Sequence, residues 1–121
     1  MKYSQAEVLA ENLLLLNDIK GSAGVKIARN LRMINDELRE YYQFKQELFR
    51  KYGEEVDGVL RINKESENFP LFMKEIEPIA SQEVSFDFRR LTEQELIDSG
   101  MTVWQMQIIW DMVEMTEGEN L

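Results

Sequence analysis

The chain has 121 residues, carries 14 Lys and Arg against 23 Asp and Glu for a net charge of −9, and contains neither cysteine nor histidine. The length suits one domain. The missing cysteines exclude disulfides and thiolate chemistry, and the missing histidines remove the usual general base and the commonest metal ligand.

Ser4-x-x-Glu7 reads as a capping box opening a helix that runs to about Ile19. Val8, Leu9, Leu13, Leu14, Leu15, Leu16 and Ile19 cover nearly its whole circumference, which predicts extensive burial. Leu13 to Leu16, bracketed by Asn12 and Asn17, is the longest plain apolar run. It is too short to span a bilayer or serve as a signal segment. Lys20-Gly21-Ser22 is the expected turn, with Gly21 as the helix C-cap.

The second helix is expected from Ala23 to Tyr52, stopped by Gly53. Ile27, Leu31, Ile34, Leu38, Tyr41, Lys45, Leu48 and Tyr52 step by four and three, a heptad seam with one polar break at Lys45. Such a helix holds about 30 residues and is ~45 Å long. It is the spine on which the rest packs, and the short turn before it makes an antiparallel helical hairpin. A seam lysine either fixes register or lets its stem pass along the core edge, and the second is the commoner use.

Gly53 to Gly58, with Glu54, Glu55 and Asp57, reads as a polar loop, and Val59 to Ile62 as a short strand. A third helix starts at Asn68-Phe69-Pro70, carries Leu71, Phe72 and Ile76, and should end near Pro78. Val84 to Arg89 alternates apolar and polar with period two, which predicts a second strand pairing with the first. Thr92-x-x-Glu95 is a capping box for a short helix ended by Gly100. Thr102-x-x-Gln105 is another, opening a last helix to about Met115. The fold class expected is therefore mainly α with a minor two-stranded β element in a single domain. Residues 1–53 form the helical hairpin, 54–90 strand–helix–strand, 91–116 a C-terminal helix pair and 117–121 a frayed tail.

Charge is unevenly placed. Residues 92–121 hold seven acids and no base, whereas 19–35 hold Lys20, Lys26, Arg29 and Arg32 and no acid. The plain explanation is complementarity inside the fold or two solvated faces; the sharper one is a charged partner at one end. Lys26, Arg29 and Arg32 lie three apart on one drifting helical stripe that could meet phosphates or an acidic partner. Asp36, Glu37 and Glu40 interrupt that stripe. The acidic C-terminal segment could mimic a nucleic acid, but Trp and Met interleave its acids.

Catalysis has little support. Ser and Thr sit mainly at helix starts, where capping explains them. The densest acidic cluster, Glu54, Glu55 and Asp57, lacks calcium-loop spacing. No enzymatic activity, cofactor or metal is expected.

The last helix is the strongest functional hint. At 100° per residue Val103, Met106, Ile109, Trp110 and Val113 form one apolar face, expected to close the core. Trp104, Ile108, Met112 and Met115 form a second, nearly opposite face. A surface helix needs one apolar face. A second means either full burial or a contact for a partner, for which Met and Trp are well suited.

The order of parts resembles a group of small proteins of tailed bacteriophages and prophages. The resemblance is carried by Lys26-Ile27-Ala28-Arg29-Asn30, Lys51-Tyr52-Gly53 and Glu83-Val84-Ser85-Phe86-Asp87-Phe88, across about residues 25–115. It implies phage origin and no particular mechanism. The expectation is a non-enzymatic protein–protein interaction module, phage-encoded, that inhibits a host defence factor or assists virion or tail assembly. Its partner would be another protein or another copy, in the bacterial cytoplasm or on the virion, with no membrane involved. The alternative is a nucleic-acid-associated protein using Lys26, Arg29 and Arg32, or an acidic mimic of nucleic acid.

Overall fold

The computed structural model describes residues 1–114. They form helices α1 (Tyr3–Leu14) and α2 (Gly21–Tyr52), strands β1 (Glu54–Val56) and β2 (Val59–Arg61), then α3 (Asn68–Ala80), α4 (Glu93–Ser99) and α5 (Val103–Ile108). A 3₁₀ turn follows at Trp110–Met112. The architecture is mainly α with one two-stranded antiparallel sheet. Two compact units divide the described residues: Met1–Ala6 with Glu37–Val84, and Glu7–Asp36 with the described residues from Ser85 on. Both α1 and α2 contribute residues to each unit.

In the first unit the second half of α2 carries the seam. Leu38, Tyr41 and Leu48 are buried, and Lys45 is half-buried with its ammonium 5.8 Å from the centre of the Tyr41 ring. Tyr3, in the first turn of α1, stacks on Tyr41 with ring centres 5.7 Å apart, and its hydroxyl donates to Glu37 Oε1 at 3.1 Å. Lost hydration and the neighbouring Glu37 carboxylate both raise the Tyr3 pKa. The start of α1 departs from the expected capping box at Ser4. The helix already includes Ser4, and the Lys2 N–H donates instead to Gln5 Oε1 at 2.7 Å.

Gly53 ends α2 as expected, and the reason is space. Its N–H reaches Phe49 O at 2.8 Å, and a Cβ there would stand 2.5 Å from that oxygen and 2.7 Å from Arg61 O. Residues 53–58 are not the polar loop expected. Glu54–Val56 is β1, paired with β2 in the register Glu54↔Arg61, Glu55↔Leu60 and Val56↔Val59. Asp57 (φ 53°) and Gly58 (φ 79°) make the two-residue turn. Positive φ at both central positions defines the turn whose twist suits a hairpin, and Asp-Gly is its preferred sequence. In α3, Phe72 and Ile76 are buried and Phe72 stacks on Phe49 at 5.3 Å. The helix passes Pro78 to reach Ala80. So close to the end, the missing proline N–H costs only one bond of the last turn, and Ser81 caps the Glu77 carbonyl by N–H and Oγ.

In the second unit α1 stops at Leu14, five residues short of the expected end. The N–H groups of Leu15 and Leu16 bond three residues back, to Asn12 and Leu13, and tighten the chain into a turn. Burial is one-sided: Ala10, Leu13 and Leu16 are buried, whereas Val8, Leu14 and Leu15 are exposed. Gly21 is the first residue of α2, not a C-cap of α1. The seam there runs through Ala23, Ile27, Asn30 and Ile34, all buried, while Leu31 is only half-buried.

The expected strand at 84–89 does not form. Ser85–Arg90 lies outside any strand, and β2 takes β1 as its partner instead. Leu91 makes a single parallel bridge with Val113: its N–H donates to Met112 O at 2.9 Å and its carbonyl accepts from Glu114 N–H at 2.7 Å. That bridge requires extended backbone at Val113, so the last helix cannot run on through Val113. It stops at Ile108 and the 3₁₀ turn carries the chain into the bridge.

Candidate protein-binding surface

Two polar anchors position the C-terminal elements of the second unit. The first is Asn30, fully buried. Its Nδ2 donates to Arg89 O at 3.0 Å and its Oδ1 accepts from Arg89 N–H at 2.8 Å. One side-chain amide thus supplies the donor and acceptor that a neighbouring strand would have offered. Nδ2 also lies 3.3 Å from Met112 Sδ. Phe86 and Phe88, on the segment leading into Arg89, stack with ring centres 5.2 Å apart.

The second anchor is Lys26. Its ammonium donates to Glu95 Oε1 at 2.6 Å and to Arg90 O at 2.7 Å. The same carboxylate oxygen accepts from Thr92 N–H at 3.0 Å and so closes the α4 capping box. Lys26 first, then hydrogen bonds from Ser22 and the Thr92 backbone, hold the Glu95 carboxyl down to about 2. The basic and acidic stretches of the sequence therefore meet at this pair. Lys26 is committed to the fold, while Arg29 and Arg32 remain exposed on α2.

α4 follows its capping box, buries Leu96 and Ser99, and ends at Gly100 in the left-handed region. Its Ile97 is 71% exposed. α5 opens on the expected Thr102–Gln105 capping box but turns its polar side inward. Gln105 is buried, accepts from Thr102 N–H and donates through Nε2 to Asp18 at 3.2 Å. Val103 and Trp104, on the same short helix, are 76% and 58% exposed. Trp110, in the following 3₁₀ turn, is 48% exposed.

The two apolar faces expected of a continuous helix are consequently broken up. Of the face expected to meet a partner, Trp104 is exposed and Ile108 half-buried, but Met112 is buried in the core; Met115 lies outside the described residues. Of the face expected to close the core, Ile109 and Val113 are buried and Met106 half-buried, whereas Val103 and Trp110 face solvent. Beyond Ile108 the cause is the switch of helix type: a 3₁₀ turn advances 120° per residue, so the 100° phase is lost where Trp110 and Met112 begin. From α4 to the 3₁₀ turn the exposed large apolar residues are Ile97, Val103, Trp104 and Trp110. Glu93, Asp98, Asp111 and Glu114 are exposed along the same stretch. Arg90, just before it, donates through its guanidinium to the main-chain oxygen of Asp111.

Two open depressions lie elsewhere. One of about 340 Å³ is lined by Glu54, Val56, Arg61, Ile62 and Asn63 in the first unit. The other, of about 390 Å³, is lined by Met33, Asp87, Phe88, Arg89 and Arg90 in the second. Among the described residues no three or more acidic side chains group as a metal site would need. Among those residues, too, no helix is long and apolar enough to cross a membrane. Comparison with known proteins found no matching family model, no matching curated protein and no matching solved structure.

Proposed function

We propose that this chain is a non-enzymatic protein–protein interaction module, phage-encoded, that inhibits a host factor or assists virion or tail assembly. The observation that carries the interaction reading is the inverted burial of α5: Gln105 inside, Val103 and Trp104 outside. A helix that buries an amide and leaves a tryptophan and a valine in water gains little from folding alone. Trp104 and Trp110 each leave on the order of 100 Å² for a partner to cover, roughly 2–3 kcal/mol apiece. The lack of His and Cys supports the non-enzymatic part, and the sequence resemblance supports the phage part. The nucleic-acid alternative loses Lys26 to Glu95 and is left with Arg29 and Arg32.

The test is capture from lysate of a bacterial host by the wild-type chain and by Trp104→Glu, with circular dichroism to confirm that both fold. The expected result is a protein retained by the wild type and lost by the variant. Equal retention by both would remove α5 from the interaction. Acrylamide quenching gives a second readout: both tryptophans should be accessible in the free chain, and Trp104 shielded in the complex.

A further inference from the structure

We infer that the partner covering Ile97, Val103, Trp104 and Trp110 is a cationic segment with apolar side chains; this rests on the interaction reading above. Exposed carboxylates flank the four apolar residues along the chain: Glu93 and Asp98 stand on either side of Ile97, and Asp111 and Glu114 follow Trp110. From Leu91 to Glu114 there is no Lys or Arg. Lys26 and Arg90, which reach this region, are already engaged. Lys26 lies against Glu95, and Arg90 donates to the Asp111 main chain, which leaves the Asp111 carboxylate exposed.

A lysine or arginine side chain fits both parts of such a surface. Its stem covers apolar area, its cation can lie over a tryptophan face, and its charge suits the carboxylates next in sequence to Ile97 and Trp110, Asp98 and Asp111. The same charges select against other occupants. A second copy would bring a net −9 chain and the same acidic stretch against itself. Duplex nucleic acid and anionic lipid are repelled for the same reason.

The experiment titrates the intact chain with two synthetic peptides, one with Leu and Lys at helical spacing and one with each Lys replaced by Glu, followed by tryptophan fluorescence. The Lys peptide should give a saturable blue shift, weakened at least ~10-fold by raising salt from about 0.05 M to about 0.5 M. Asp98→Lys/Asp111→Lys should weaken it by at least ~10-fold as well. Trp104→Ala should also weaken it; unchanged binding by that variant would mean that the peptide sits elsewhere and would overturn the inference. Equal binding of the Glu peptide, or unchanged affinity in the charge-reversed variant, would overturn the cationic partner. A concentration-dependent dimer abolished by Trp104→Ala would overturn it too while leaving the interaction reading standing. Loss of both readings needs a different result: a Trp104→Glu variant that retains every partner of the wild type.

Discussion

Asn30 and Lys45 both interrupt the apolar seam of α2, one in each compact unit, and they meet the same difficulty in different ways. Asn30 is short and neutral, and its amide is fully buried because both ends are satisfied by one residue, Arg89. Lys45 is long and charged, stays half-buried, and carries its ammonium beside the Tyr41 ring. A polar group enters a core when local partners replace all the water it loses; otherwise its stem serves the core and its head stays at the edge. The first arrangement ties distant chain segments together. The second packs a stem along the core and keeps the cation at its edge, beside the Tyr41 ring.

Four substitutions break or sharpen this contrast, here from largest expected effect to smallest. Leu38→Ala sets the apolar reference: Leu38 is fully buried in the seam, and its truncation should cost ~3–5 kcal/mol in a denaturant melt. A loss under ~1 kcal/mol would mean that the seam is not core. Asn30→Leu keeps the branched shape of the side chain, although it is bulkier, and replaces its donor and acceptor with methyl groups. It should cost ~2–4 kcal/mol, because the N–H and C=O of Arg89 lose their partner. If the leucine variant matches the wild type, the amide anchor has no structural role.

Glu95→Gln tests the neighbouring anchor and should cost ~1–3 kcal/mol at neutral pH through the weakened capping box and the lost Lys26 pair. Its pH dependence has a definite sign. The folded Glu95 value of about 2 lies below the ordinary 4.5, so the contribution is complete above about pH 4.5 and fades as pH falls toward 2. The gap between wild type and variant should narrow on going from neutral pH to about pH 3; a constant gap would show that the charge is irrelevant. Lys45→Met should change stability by less than ~1 kcal/mol in either direction, since the thioether can replace the stem and the charge contacts of a half-exposed ammonium contribute little. A large loss there would place Lys45 with Asn30 as a true anchor.

The sequence shows its ends of helices more clearly than its partners. Both Thr capping boxes at 92–95 and 102–105, the Gly53 and Gly100 stops and the extent of α2 were legible because each depends on a few neighbouring residues. The hairpin was missed although Val56-Asp57-Gly58-Val59 is a strong two-residue turn signal. Its strands are largely solvent-facing, so no apolar alternation marked them, and Glu54-Glu55 read as loop. Asn30 was hidden by an apolar-only reading of the seam: nothing local announces an amide whose partner lies 59 residues away. Trp104 was legible as an exposed candidate. Trp110 was not, because its exposure follows the 3₁₀ turn that replaces the helix after Ile108, and Val103 was read on the core side of a helix that instead turns Gln105 inward.

The Asn30–Arg89 pair also has a kinetic consequence. Amides of a segment outside any ladder usually exchange with solvent deuterium at rates close to those of an open chain. The Arg89 amide is held instead by an oxygen on a fully buried side chain of α2. Its exchange can proceed only when that side chain lets go, so a single resonance within Ser85–Arg90 should report the opening of Asn30 from its site. In Asn30→Ala the same amide should exchange as fast as its neighbours, turning one slow proton into a clock for the release of the segment.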